Sequence, residues 1–274
     1  MIETKHLFDP LDQLLIQVLS SLSADDWQRP TVAGSWRVKD IASHLLDGNL
    51  RAISMLQDGY FGEQPGPINS YQDMVNFLNR LNADWTTATR RLSPALMTEL
   101  LARSGPKYFK VINALDPQAP ALFSVGWAGE DQSLNWMHIA RDYTEKWHHQ
   151  AQIRLAIHQL DPILTDEFYD PYLHVSLLGL PHHYRTIPGK EGQTIHLIIE
   201  KENPLNRFLI RADDHWVLSN KREQEVDCTI YIDGSIAWRL FTKGISRKAA
   251  EKKVRIEGNP LLGTPIFDLT AVMA

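Results

Sequence analysis

The chain has 274 residues, 43% of them hydrophobic and 22% charged, with a formal net charge of -5; this is the composition of a folded protein with a sizeable core. The acidic balance argues against a general affinity for nucleic acid, whose phosphates recruit a basic surface. The basic runs KRE from 221 and SRKAAEKK over 246–253 read as solvated faces. A single cysteine, Cys228, excludes an internal disulfide and a Cys-based zinc finger and points to a reducing compartment.

The opening MIETKHLFDPLDQLLIQ lacks the cationic-then-apolar plan of a secretory signal, and no apolar run approaches the roughly 20 residues of a membrane span. The expectation is a cytoplasmic protein without a membrane partner. To about residue 160, apolar residues recur at helical spacing. LDQLLIQVLSSL, over 11–22, is the first helix. After Ser35, read as an N-cap, a second helix runs through WRVKDIASHLLDGNLRAISMLQ to about Gln57 and stops at Gly59. Ser70 opens SYQD, a capping-box pattern with Asp73, and a third helix through MVNFLNRLNADWTTATRRL. A shorter helical stretch follows Pro94, and a long helix spans about Asp131 to His158. Four principal helices predict an up-down four-helix bundle over 1–160.

From 161 the pattern changes. One more helix covers DEFYDPYLHVSLLGL, after which Pro181, Pro188 and Gly189 punctuate the chain and leave His182 and His183 in an exposed turn. QTIHLIIEK, RFLIRA, HWVLS and CTIYIDG read as strands, with β-branched residues and partial alternation. Ser235 and Ser246 begin short helices, VRIEG is another strand, and NPLLGTPIFDLTAVM closes as a helix. The fold class is therefore two-domain α+β, with a helical domain over 1–160 and a small α+β domain over 161–274.

On the long helix, His138, Asp142, Glu145 and His149 fall at spacings of four, three and four, which puts them on one face, and Leu134 and Ile153 extend that line toward the interior. Near the N-terminus His44 stands alone among Ile41, Ala42, Leu45 and Leu46. Two readings of these residues are open. In one, Glu145 pairs with Arg141, and His44 and His149 are hydrogen-bonded core or surface residues. In the other, His44, Glu145 and His149 share a divalent ion, which supplies the partner a buried carboxylate needs. Cys228 reads as buried packing, because no neighbouring motif activates it. No G-x-G-x-x-G, Walker or G-x-S-x-G pattern supports a nucleotide or serine-hydrolase reading.

The segment SWRVKDIASHLLDGN, with Trp36 eight residues before His44, resembles the first motif of the DinB-like metalloenzyme superfamily, in its mycothiol-dependent maleylpyruvate isomerase-like branch. TEKWHHQAQIR is similar to that branch's second motif. The resemblance spans most of the chain and implies a helical metal-binding bundle joined to an α+β domain resembling sterol carrier proteins. It implies His44, Glu145 and His149 as metal ligands, with His148 turned roughly 100° away, to a supporting or surface position. Many relatives carry Asp where this chain has Gln152, and a glutamine hydrogen-bonds but is neither base nor charge. The candidate catalytic positions are Gln152 and Arg239, the arginine being implied as a holder of acidic substrate. Asp142 and His138 are candidates for orienting His149 or a bound water.

Two imidazoles and a carboxylate leave an open coordination position, as catalytic zinc sites do. The implied cofactors are a divalent metal, zinc first with nickel, iron or manganese also compatible, and a low-molecular-weight thiol such as mycothiol, bacillithiol or glutathione. The implied activity is that of a thiol-dependent transferase or isomerase acting on a small electrophile. Its partners are the small substrate and the thiol, with no nucleic acid, and the oligomeric state stays open between monomer and homodimer. Two other functions stand beside it. One is metal-assisted hydrolysis of a small amide or ester; the other is a non-enzymatic protein whose C-terminal domain holds an apolar ligand beside a structural metal.

Overall fold

The computed structural model describes residues 1–272 and is α+β: a helical N-terminal region followed by a region built on a sheet. Helix α1 (Phe8–Ser21) presents Leu11, Leu15, Val18 and Leu19 on its buried face. Helix α2 (Val38–Asp58) starts later than expected. The N-cap is Arg37, not Ser35, and the Asp40 carboxylate accepts from the Arg37 backbone N–H at 3.0 Å. The preceding residues fold back on themselves, with Pro30 bridged to Arg37 and the Thr31 N–H donating to the Trp36 carbonyl, so Trp36 lies outside the helix. At the other end Gly59 takes φ +65°, the left-handed cap that only glycine adopts cheaply.

Helix α3 (Tyr71–Thr89) begins as its capping pattern predicts, the Ser70 hydroxyl accepting from the Asp73 N–H at 3.2 Å. The stretch after Pro94 is not short: α4 runs Pro94–Ala114 and passes through Pro106. Pro94 sits in the first turn, where its missing N–H costs nothing. Burial of Met97, Leu101, Tyr108 and Ile112 carries the helix past the lost hydrogen bond at Pro106. Helix α5 (Asn135–Ala156) is the long helix of the polar stripe, and α6 (Asp166–Leu177) follows. His182 and His183 lie in helix α7 (Leu180–His183), half-buried and not in an exposed turn, and the His183 ring meets the Pro265 carbonyl at 2.8 Å.

Among the described residues, strands β1 (Thr194–Glu200), β2 (Leu205–Ala212), β3 (His215–Ser219), β4 (Cys228–Asp233) and β5 (Val254–Gly258) form one sheet in the order β3-β2-β1-β4-β5. Only the central β1–β4 pair is parallel; its register sets Leu197 beside Ile230 and Ile199 beside Ile232. Ile195, Leu197 and Ile199 alternate with less buried residues, the period-two pattern of a strand with one covered face. Helix α8 (Gly234–Phe241) packs on β1 and β4, after which come α9 (Arg247–Ala250), capped by Ser246, and α10 (Pro260–Gly263). The closing segment is not one helix: α10 gives way to a 3-10 turn over Thr264–Asp268, and Met273, part of that expectation, lies outside the described residues.

The chain divides into two compact units. The first combines Glu3–Ala119 with Asp142–Phe168, and the second combines Pro120–Arg141 with the residues from Tyr169 onward. In the first unit α2 packs on α4 and α3, and α1 packs on α4. Its core joins Leu15 and Leu19 of α1 to Ile41, Ala42 and Leu45 of α2, Leu101 of α4 and Ile153 of α5. No helix among the described residues is long and apolar enough to cross a membrane.

Candidate metal centre

Helix α2 is set by its neighbours at the residue before His44. The Trp85 indole N–H donates to the Ser43 carbonyl at 2.8 Å, and the buried Ser43 hydroxyl pairs with that of Thr89, both from α3. His44 thus leaves a fixed turn of helix, flanked by Ile41, Ala42 and Leu45, which are buried. On α5, Glu145 and His149 are four residues apart and share a face.

These three residues meet in space. One ligand atom from each of His44, Glu145 and His149 lies within 4.8 Å of the others. His149 Nε2 and Glu145 Oε2 are 3.5 Å apart, too long for a hydrogen bond but close to the roughly 3.3 Å between two atoms bonded tetrahedrally to one ion at about 2.0–2.1 Å. The His44 and His149 rings stand edge to face, 4.6 Å between centroids.

The imidazoles are prepared as ligands. Burial, reinforced by the neighbouring His149, holds His44 well below the ordinary histidine range, so at neutral pH its ring is uncharged, the form that binds a metal. Its Nδ1 is buried without a hydrogen-bond partner, a bonding requirement that the protein's own groups do not fill. His149 Nδ1 lies 2.9 Å from Gln152 Oε1, a pure acceptor. That contact assigns the His149 proton to Nδ1 and leaves the Nε2 lone pair facing Glu145. The donor set and the unfilled nitrogen both fit a divalent cation.

Two more residues stand around the ligands, His148 in the supporting and not the surface position, and Trp36 outside the helix expected to carry it. His148 is not at the surface: it is buried, its Nδ1 meets the Thr144 carbonyl at 2.8 Å, and its ring lies 4.0 Å from that of His149. Burial, with His149 adding to it, pushes His148 down to about 4, so it too is neutral at pH 7. Trp36, released from the helix by the turn before Arg37, sets its ring 5.1 Å from His44 and 6.2 Å from His149 and forms an aromatic wall beside both. Neither placement has a local sequence signal, since each depends on which helices become neighbours.

The remaining candidates lie elsewhere. Asp142 accepts from the Tyr108 hydroxyl at 2.9 Å, and His138 Nδ1 is 3.3 Å from the Arg141 guanidinium. The stripe does not stay interior along its length: Leu134 precedes the helix and is 37% exposed, whereas Ile153 is fully buried. Arg239 lies in α8, in the second unit, where its Nε donates to the Gly244 carbonyl at 3.1 Å. Cys228 is buried, and that burial pushes its thiol up to about 11.

The profile of the mycothiol maleylpyruvate isomerase N-terminal domain family matches residues 8–154. Among solved structures, the chain is similar to a histidine-to-alanine mutant of the mycothiol-dependent maleylpyruvate isomerase, with a TM-score of 0.55 and 10% identity over 92% of this chain and 91% of that one. It is also similar to the crystal structure of the mycothiol-dependent maleylpyruvate isomerase, with a TM-score of 0.52 and 11% identity over 86% of each chain. At that identity the likeness establishes the fold. No curated protein sequence matches the chain.

Proposed function

Because this chain belongs to the mycothiol maleylpyruvate isomerase N-terminal domain family, in the DinB-like superfamily, we propose that it is a divalent-metal-dependent enzyme that uses a low-molecular-weight thiol to isomerise a small electrophilic substrate. The observation that carries this reading is the meeting of His44, Glu145 and His149 within 4.8 Å. Zinc is the leading metal, with nickel, iron or manganese suited to the same mixed nitrogen and oxygen donors. A bound divalent cation brings a coordinated thiol or water toward ionisation near neutral pH.

The side chains divide the remaining work. His44, held neutral by burial, and His149, oriented by Gln152, offer lone pairs, while the Glu145 carboxylate supplies the charge. Gln152 keeps the His149 proton on Nδ1 and, being an amide, takes up no proton itself. The thiol sulfur adds to one carbon of an electrophilic double bond, and the displaced electron pair passes to the conjugated carbonyl, which takes up the proton as an enol. In the adduct the former double bond is single; rotation about it and expulsion of the same thiol, with return of the proton taken up by the activating carbonyl's enolate, give the isomer with no net oxidation. Transfer would differ only in leaving the thiol attached. Arg239 is kept for the carboxylate of an acidic substrate on the family resemblance alone.

The finer architecture belongs to the same proposal: an up-down four-helix bundle over 1–160 and a sterol-carrier-like α+β domain over 161–274, in a cytoplasmic protein. An apolar-ligand carrier draws no support from the cavity bounded by Leu180, Tyr184, Leu197, Leu209, Ile230 and Ile266, which has about 10 Å³ of space, the room of one water. The test is turnover of a maleylpyruvate-type cis electrophile with and without each of mycothiol, bacillithiol and glutathione. Isomerisation that requires one of these thiols supports the proposal. Hydrolysis of an amide or ester without added thiol replaces it.

A further inference from the structure

Behind the ligands, a second set of polar side chains ties the same helices together. Lys146, next in sequence to Glu145, points into the helical unit and donates to the Asn49 side-chain carbonyl. Asn49 is fully buried on α2, five residues beyond His44, and its Nδ2 donates to the Ser104 hydroxyl of α4 at 3.0 Å. Ser104 in turn donates to the Leu101 carbonyl at 3.2 Å. The Lys146 ammonium also stands 4.2 Å over the ring of Tyr108. Asp12 of α1 adds an attractive charge and shares the wall of a small cavity with Lys146 and Tyr108. Asp12 reaches this place because residue 105 is glycine: a Cβ there would collide with the carboxylate.

This chain of bonds has a direction. Lys146 can only donate, so Asn49 must turn its oxygen toward α5, which leaves its nitrogen for the Ser104 hydroxyl of α4; the direction is set at the Lys146 end, because a hydroxyl can accept or donate. Apolar contacts such as those of Ile41, Ala42 and Leu45 constrain packing but tolerate small slides along a helix axis. A buried hydrogen-bonded polar chain tolerates them less, and the best-attested use of such a chain is to fix register. The bond from Lys146 to Asn49 joins α5 to α2, the two helices that must bring Glu145 and His149 to His44.

We infer that Lys146, through Asn49, is a positioning residue for the metal centre: it sets the register of α2 against α5 and so the separation of the three ligands. This rests on the metal reading above. The experiment is cobalt(II) titration of the full chain, following both affinity and the visible d–d spectrum, whose intensity reports coordination geometry. Lys146→Met keeps most of the stem and removes the donor. It is expected to bind cobalt at least about tenfold more weakly, the effect usual for outer groups that orient ligands, with an altered spectrum. Lys146→Arg, which can still donate to Asn49, is expected to restore much of both.

Circular dichroism confirms that each variant is folded. Should Lys146→Met not fold, the double variant Asn49→Leu/Lys146→Met, which leaves neither partner stranded, carries the comparison. A folded variant with wild-type affinity and spectrum overturns the positioning role, even if its Tm is lower. A wild-type chain that binds no cobalt overturns the metal reading itself, a result distinguishable from the first.

Discussion

His149 and Gln152, one turn apart on α5, are joined by a 2.9 Å hydrogen bond from imidazole Nδ1 to the side-chain carbonyl. The bond decides which nitrogen of His149 carries the proton, and so whether Nε2 can face Glu145 as a ligand. Gln152→Leu is expected to weaken zinc or cobalt binding by about 10- to 100-fold with little change in fold, because only the orienting acceptor is lost. Gln152→Glu preserves the acceptor and should retain binding. Isothermal titration of both variants checks this, and equal affinities for Leu and Gln would remove Gln152 from the site.

Metal should stabilise the helical unit by mass action. At free metal near 100 times Kd the gain is about 2.7 kcal/mol, which raises the thermal transition in calorimetry and disappears with EDTA. His44→Ala, which deletes one ligand, should melt at the same temperature with and without metal.

The thiol used in catalysis should come from outside the chain. Cys228 is the protein's one cysteine, and its thiol, pushed up to about 11, carries far less thiolate at pH 7 than a free cysteine near 8.5. Iodoacetamide at neutral pH should leave the folded protein unlabelled and label it fully in denaturant. Cys228→Ser should retain thiol-dependent turnover.

Gly105→Ala should destabilise the protein, although alanine is the better helix former by about 1 kcal/mol. The added Cβ collides with the Asp12 carboxylate and forces it from its place beside Lys146, an overpacking cost of roughly 1–3 kcal/mol. In chemical denaturation, adding Asp12→Ala to Gly105→Ala should recover part of the loss, because the collision is then gone.

What the sequence made legible was local chemistry. The Ser70 and Asp73 cap and the Gly59 stop are written in a few neighbouring residues, and the structure places both as read. Ser35 misled because a reversal that bridges Pro30 to Arg37 occupies its segment, and the helix waits for Asp40 to cap Arg37. The length of α4 was hidden because Pro106 is a local stop signal that tertiary burial of Tyr108 and Ile112 overrides. Spacing alone puts Glu145 and His149 on one face; His44 joins them through motif resemblance, since it lies 101 positions before Glu145. The bond from Lys146 to Asn49 had no sequence signal at all, spanning 97 positions between residue types common on any helix surface.

The most direct measurement of the central claim is the elemental content of the purified chain beside its His44→Ala and Glu145→Ala variants, each shown to be folded. We expect about one divalent ion per wild-type chain, most of it lost from both variants. A wild-type chain that takes up no divalent metal even when it is supplied, or variants that retain the wild-type stoichiometry, would contradict the assignment of His44, Glu145 and His149 as a metal centre.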